Sequence, residues 1–99
     1  MVIGRVGFRE GDNVRIRHLI LDVLKPHYPG IVELSKALAG VDGVDRVTID
    51  IVEMDQDTES VKIEIEGNNI NVEKLIKRIK EMGASVHSID SVTTEISKV

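Results

Sequence analysis

Between Arg15 and Ile96 the hydrophobic positions follow two different periods, and each change of period marks a boundary between elements. IRHLILDVL (16–24) is a near-continuous apolar run, which predicts a central strand covered on both faces. It ends at Lys25-Pro26, where proline removes a ladder donor. After the loop KPHYPG, Ile31, Leu34, Leu38 and Val41 recur at helical spacing, with Glu33 in the first turn and Gly40 near the end. Val47, Ile49 and Ile51 then alternate with Arg46, Thr48 and Asp50, a strand with one buried face. Asp55-Gln56-Asp57-Thr58 makes a polar turn, and Val61, Ile63 and Ile65 alternate with Lys62, Glu64 and Glu66 to complete a hairpin.

Gly67-Asn68-Asn69 breaks that strand, and Asn69 or Asn71 is placed to cap the next helix. Its stripe is Val72, Leu75, Ile76, Ile79 and Met82, with Glu73 early, Lys77, Arg78 and Lys80 late, and Gly83 as the stop. ASVHSIDSVTTEI is the last strand. There is an internal echo: Gly43-x-x-x-Val47-Thr48-Ile49-Asp50 recurs as Gly83-x-x-x-His87-Ser88-Ile89-Asp90. Two right-handed βαβ units interleaved predict an α+β, ferredoxin-like βαββαβ sandwich. Its antiparallel sheet has four strands in the order 4-1-3-2, with both helices on one face. Residues 1–14 read as an N-terminal extension, a tail or a loosely held strand, and 15–99 as one domain.

Composition narrows the function classes. The chain of 99 residues is 41% apolar but only 2% aromatic, so Val, Ile and Leu must build the core. Cysteine is absent, which excludes disulfides, zinc ribbons, iron–sulfur clusters, thiol catalysis and the CxxC metallochaperones of this fold. No apolar run approaches the roughly 20 residues of a membrane span, and the N-terminus lacks the apolar stretch of a signal peptide, so a cytoplasmic protein is expected. Net charge is −4, with nine acids between Asp42 and Glu66 against Arg46 and Lys62, which would repel nucleic acid. A sheet that stacks RNA bases would need aromatic residues on strands 1 and 3, and neither has one. No GxxxxGK loop is present, and no motif pairs Ser35, Ser60, Ser85, Ser88, Ser91 or Ser97 with a His/Asp partner. Catalysis is not expected.

The topology predicts where the remaining polar residues meet. One end of the sheet should gather Lys25 and His27, the hairpin acids Glu53, Asp55, Asp57 and Glu59, and His87. Imidazole and carboxylate together are ordinary ligands for a divalent cation. On the face away from the helices, His18, Ile20, Asp22 and Leu24 should join Thr48, Asp50, Val52, Met54, Ser88, Asp90 and Val92. Asp22 should approach Asp90 there, and a carboxylate pair favours a cation, a shared proton or a lysine. Ile20, Leu24, Val52 and Met54 are too apolar for a wet face, so another subunit is expected to cover them. The Pro29-Gly30 step that opens the first helix resembles the ACT regulatory modules, where that loop holds a small ligand such as an amino acid. Gly30 is the residue that reading singles out; the candidate small-ligand contacts as a whole are Lys25, His27, Gly30 and Ser88.

Several phrases carry a closer resemblance: Leu21-Asp22-Val23-Leu24-Lys25-Pro26-His27, Glu53-x-Asp55, Thr58-Glu59, Glu66-Gly67-Asn68 and His87-Ser88-Ile89-Asp90. Over about residues 15–92 the chain resembles a small archaeal family catalogued as a domain of unknown function. It departs at Tyr28, where that family usually has an acid, and in its extra N-terminal residues. The resemblance implies a ferredoxin-like fold and ring-shaped homo-oligomers, and no established activity. It raises Asp22, His27, Asp55, His87 and Asp90 above the other polar residues. The expected protein is therefore a non-catalytic ring that binds a small ligand or a divalent cation near its subunit junctions, with Asp22, His27, Glu53, Asp55, His87 and Asp90 as candidate metal ligands. The alternatives are an ACT-like amino-acid sensor and a purely structural assembly protein.

Overall fold

In the computed structural model, which describes residues 13–97, the elements run β1 (Asn13–Pro26), α1 (Ile31–Ala39), β2 (Val44–Met54), β3 (Thr58–Gly67), α2 (Val72–Glu81) and β4 (Ser85–Ser97). The sheet is wholly antiparallel in the order β2-β3-β1-β4. This is the ferredoxin-like βαββαβ arrangement that the periodicities predict. The expectation for residues 1–14 falls almost wholly outside the described residues.

The helix-facing row of β1 is Leu19, Leu21 and Val23, and that of β3 is Val61, Ile63 and Ile65; all six are buried. Leu34 and Leu38 of α1 and Leu75 and Ile79 of α2 close over them. Burial of such a side chain contributes about 1.5–3 kcal/mol, so this aliphatic layer carries the fold. Asn71 caps α2, its side chain accepting from the Lys74 amide at 3.0 Å. Gly43 and Gly83, the glycines of the echoed phrase, both take left-handed φ, +85° and +83°. At Gly43 a Cβ would also stand 2.2 Å from the Asn69 carbonyl oxygen, so only glycine closes that turn.

Two local irregularities alter the predicted faces. Between Ile51 and Glu53 the register of β2 against β3 shifts, so Met54 stands opposite Glu59 on the helix side rather than on the open face. β4 shifts against β1 at three places, and Asp22 stands opposite Ser88 instead of Asp90. β1 is central as predicted, yet only one of its faces is covered within the chain: Leu24 on the other face is 43% exposed.

The helices are also too short to roof the sheet. A helix of 9 or 10 residues spans about 15 Å, whereas β1 and β4, with 14 and 13 residues, run about three times as far. Val14 and Ile96 lie on the helix side of this overhang, while Ile89 and Val92 stand beside the buried Leu21 and Leu19 on the edge strand β4; all four stay 39–56% exposed. No helix among the described residues is long and apolar enough to cross a membrane.

Candidate functional site

The inward row of β1 does not end at Val23. Two residues further on, the same parity carries Lys25 inward, and on β3 it carries Glu59 inward from Val61; the two are direct cross-strand partners. Both are buried, Lys25 to 1% exposure and Glu59 to 6%. A charge so placed must find partners or leave its position. Lys25 Nζ donates to Glu59 Oε1 at 3.0 Å and to the Pro26 carbonyl at 2.7 Å, with the His27 carbonyl at 3.5 Å. Each ammonium proton has an acceptor.

His27 completes the cluster. Its Nδ1 lies 2.9 Å from Glu59 Oε2, and its Nε2 lies 2.9 Å from the carbonyl of Gln56 in the hairpin turn. The carbonyl accepts only, and so does an ionised carboxylate, so the imidazolium form alone donates to both at once. Glu59 hydrogen bonding raises the His27 pKa above its ordinary value, and the Gln56 carbonyl adds to the effect. In turn the His27 bond, and then the Lys25 bond, hold the Glu59 carboxyl below the usual carboxylate range. Among the described residues the one buried side-chain nitrogen or oxygen without a partner is Arg15 Nε, so nothing in this cluster is left unmet.

The predicted polar end thus forms in part. Lys25, His27 and the hairpin turn do meet, and Glu59 joins them. Glu53 and Asp55 are exposed, and the Asp55 backbone closes the turn by donating to the Thr58 carbonyl at 2.8 Å. In this arrangement both His27 nitrogens are engaged. His87 lies on the other face of the sheet, where Asp22, Leu24, Ser60 and His87 line a recess of about 190 Å³. Asp22 and His87, two candidate cation ligands, come together there. Ser88 turns to Asp90, its hydroxyl donating to Oδ1 at 2.7 Å. Among the described residues no group of three or more His, Asp and Glu side chains converges. Nor does a hydrogen bond join Ser60, His87 and Asp22 into a nucleophile–base relay.

Gly30 is the N-cap of α1, without a side-chain cap. Glu33 Oε1 lies 3.1 Å from where a Gly30 Cβ would stand, so the helix start already has a carboxylate beside it. A second His–Glu pair sits on the open face, His18 Nε2 to Glu64 Oε2 at 2.6 Å. That bond lowers the Glu64 pKa.

The residue that sequence reasoning undervalued is Glu59. Its place among the hairpin acids suggests a solvated carboxylate, although its parity with Val61, Ile63 and Ile65 marks it as inward. A charged residue in an otherwise aliphatic row is the readable signal.

The comparisons with known proteins agree with the resemblance. Residues 17–97 match the DUF211 family, described as "Uncharacterized ArCR". The chain is also 42% identical over 77 residues to the uncharacterized protein MJ0319 of Methanocaldococcus jannaschii, an alignment that covers 78% of this chain and 79% of the relative. The chain belongs to the DUF211 family.

Proposed function

We propose that this protein is a non-catalytic, cytoplasmic assembly protein whose copies associate into a ring and bind a divalent cation or a small ligand near their junctions. The observation that carries the reading is the exposed aliphatic strip of Val14, Ile89, Val92 and Ile96 along the helix side of the edge strand β4 and the adjoining start of β1. Exposed aliphatics on an edge strand are costly in water and prone to pair with another chain. A second copy removes both costs. Val92→Glu places a charge in the strip, and sedimentation velocity should then show smaller particles than the wild type. A monomeric wild type at micromolar concentration would sink the proposal.

The recess between Asp22 and His87 supports the cation part of the reading. Two protein ligands leave a divalent ion under-coordinated, so a neighbouring copy or water would complete the shell. Thermal melting of the wild type with each divalent metal, repeated on His87→Ala, is the test: the wild-type midpoint should rise and the variant's should not. An amino-acid sensor built around Gly30 is the weaker alternative, because Glu33 would repel an incoming carboxylate. If neither metals nor amino acids shift the midpoint, the assembly itself is the function.

A further inference from the structure

We propose that copies of this chain join edge to edge into one continuous sheet, the β4 edge of each pairing antiparallel with the β2 edge of the next. The inference rests on the self-association proposed above and names the two surfaces that meet. Junctions in a closed ring are heterologous, so the exposed strip on β4 needs a different surface of the next copy to receive it. The strand order leaves β2 and β4 as the two edges of the sheet, each with a row of unpaired backbone groups. Neither strand has a proline or a lysine to block pairing. β2 runs in the direction of β1, and β4 runs against it. A neighbour in the same orientation therefore lays its β4 antiparallel beside β2, with the helices of both copies on one side.

The ladders within the chain show what such a junction brings together. Followed straight across the sheet, one row holds Val47, Ile65, Leu19 and Val92, and the next of that parity holds Ile49, Ile63, Leu21 and Ile89. A third holds Ile51, Val61, Val23 and Val86. A neighbour joined at the same level sets its Val92, Ile89 and Val86 against Val47, Ile49 and Ile51, all on the helix side. Beside Val47 and Ile49 a groove of about 260 Å³ runs along α1, lined also by Ile31 and the exposed Val32, and offers these aliphatics an apolar seat. The rows of the open face are compatible too: Thr48 meets Ser91, Asp50 meets Ser88, and Arg46 meets Thr93. Glu95, two places beyond Thr93, then comes within diagonal reach of Arg46, and no like charges stand opposite in these rows. The bulged residues His87 and Asp90 fall outside them. Joining at one level adds no rise from copy to copy, so a run of copies closes instead of spiralling.

The chain contains no cysteine, so introduced thiols report without background. Thr48 and Ser91 stand opposite each other across the junction. Within one copy they are three strand spacings apart, about 14 Å, too far for a disulfide. Under mild oxidation the double variant Thr48→Cys/Ser91→Cys should give a ladder of covalent multimers on a denaturing gel, and neither single variant should give dimers. Should the double variant not fold, hydrogen exchange in the wild type decides. The outward-facing amides of β2 and β4 should exchange about tenfold or more slowly than in Val92→Glu. A monomeric wild type would remove the junction together with the association it rests on. An associated wild type overturns the edge-to-edge junction alone if the double variant gives no ladder, if Ser91→Cys by itself gives dimers, or if the edge amides exchange as fast as in Val92→Glu.

Discussion

His18 meets Glu64 on the open face of the sheet, and His27 meets Glu59 at the helix-side end of the same two strands. The separations are similar, 2.6 Å and 2.9 Å. What differs is the surroundings. His18 and Glu64 are both half-buried, at 26% and 36% side-chain exposure, and the free Glu64 oxygen has no second protein partner among the described residues. Glu59 is 8% exposed and receives a second partner, Lys25, on the oxygen that His27 does not use. His27 has a second acceptor of its own in the Gln56 carbonyl. The same two residue types make a half-buried two-residue contact in one place and, around a buried carboxylate, a three-residue cluster in the other. The lesson is that the row parity of the strand, not the presence of the pair, decides which it becomes.

The sharpest way to break the comparison is to remove Lys25. Lys25→Ala leaves Glu59 with one partner in a buried position, and such a loss costs about 3 kcal/mol or more. For a domain of this size that lowers the thermal midpoint by about 12 °C or more, measurable by calorimetry. Next comes the pH dependence of the midpoint in His27→Ala against His18→Ala. As pH rises above 6.5 the wild type should lose stability, because the His27 pKa is raised in the fold. That slope should flatten in His27→Ala and persist in His18→Ala.

Salt separates the two pairs further. Raising ionic strength to about 1 M screens exposed charges and leaves buried ones nearly untouched. The small stabilising effect of His18–Glu64 should fade under those conditions, while Lys25→Ala should cost as much as before. The smallest expected effect is that of His18→Ala itself, a midpoint change within about 2 °C, as for exposed ion pairs in general. A His18→Ala cost equal to that of Lys25→Ala would remove the distinction between the pairs.

The fold was legible because β3 and the two helices carry unmixed periods: Val61, Ile63 and Ile65 at every second position, and Leu75 and Ile79 at one helical turn. The site was legible only in part. Lys25 and His27 were placed at the correct end of the sheet by topology alone. Glu59 falls at the same end, but its burial is hidden by the acids before it, Glu53 at the end of β2 and Asp55 and Asp57 in the turn, which are all exposed. The positions of His87 and Asp90 could not be read, because the register shifts of β4 change which face a residue occupies. SVHSIDSVTTEI is also too evenly mixed in polarity to reveal where they fall. Met54 was assigned to the wrong face for the same reason, through the shift near Val52. Val14 and Ile96 are exposed through a mismatch in lengths, since strands of 13 and 14 residues outreach helices of 9 and 10, and Ile89 and Val92 because β4 is the edge of the sheet. All four look like ordinary strand aliphatics in the sequence.

The most direct test of the cluster is the protonation state of the His27 ring, read from the chemical shifts of its two nitrogens in a selectively ¹⁵N-histidine-labelled sample at about pH 6.5. Both His27 nitrogens should carry protons, each coupled to a hydrogen-bonded partner, in a protein whose Glu59 is ionised. A neutral His27 ring with one bare nitrogen under those conditions would contradict the account.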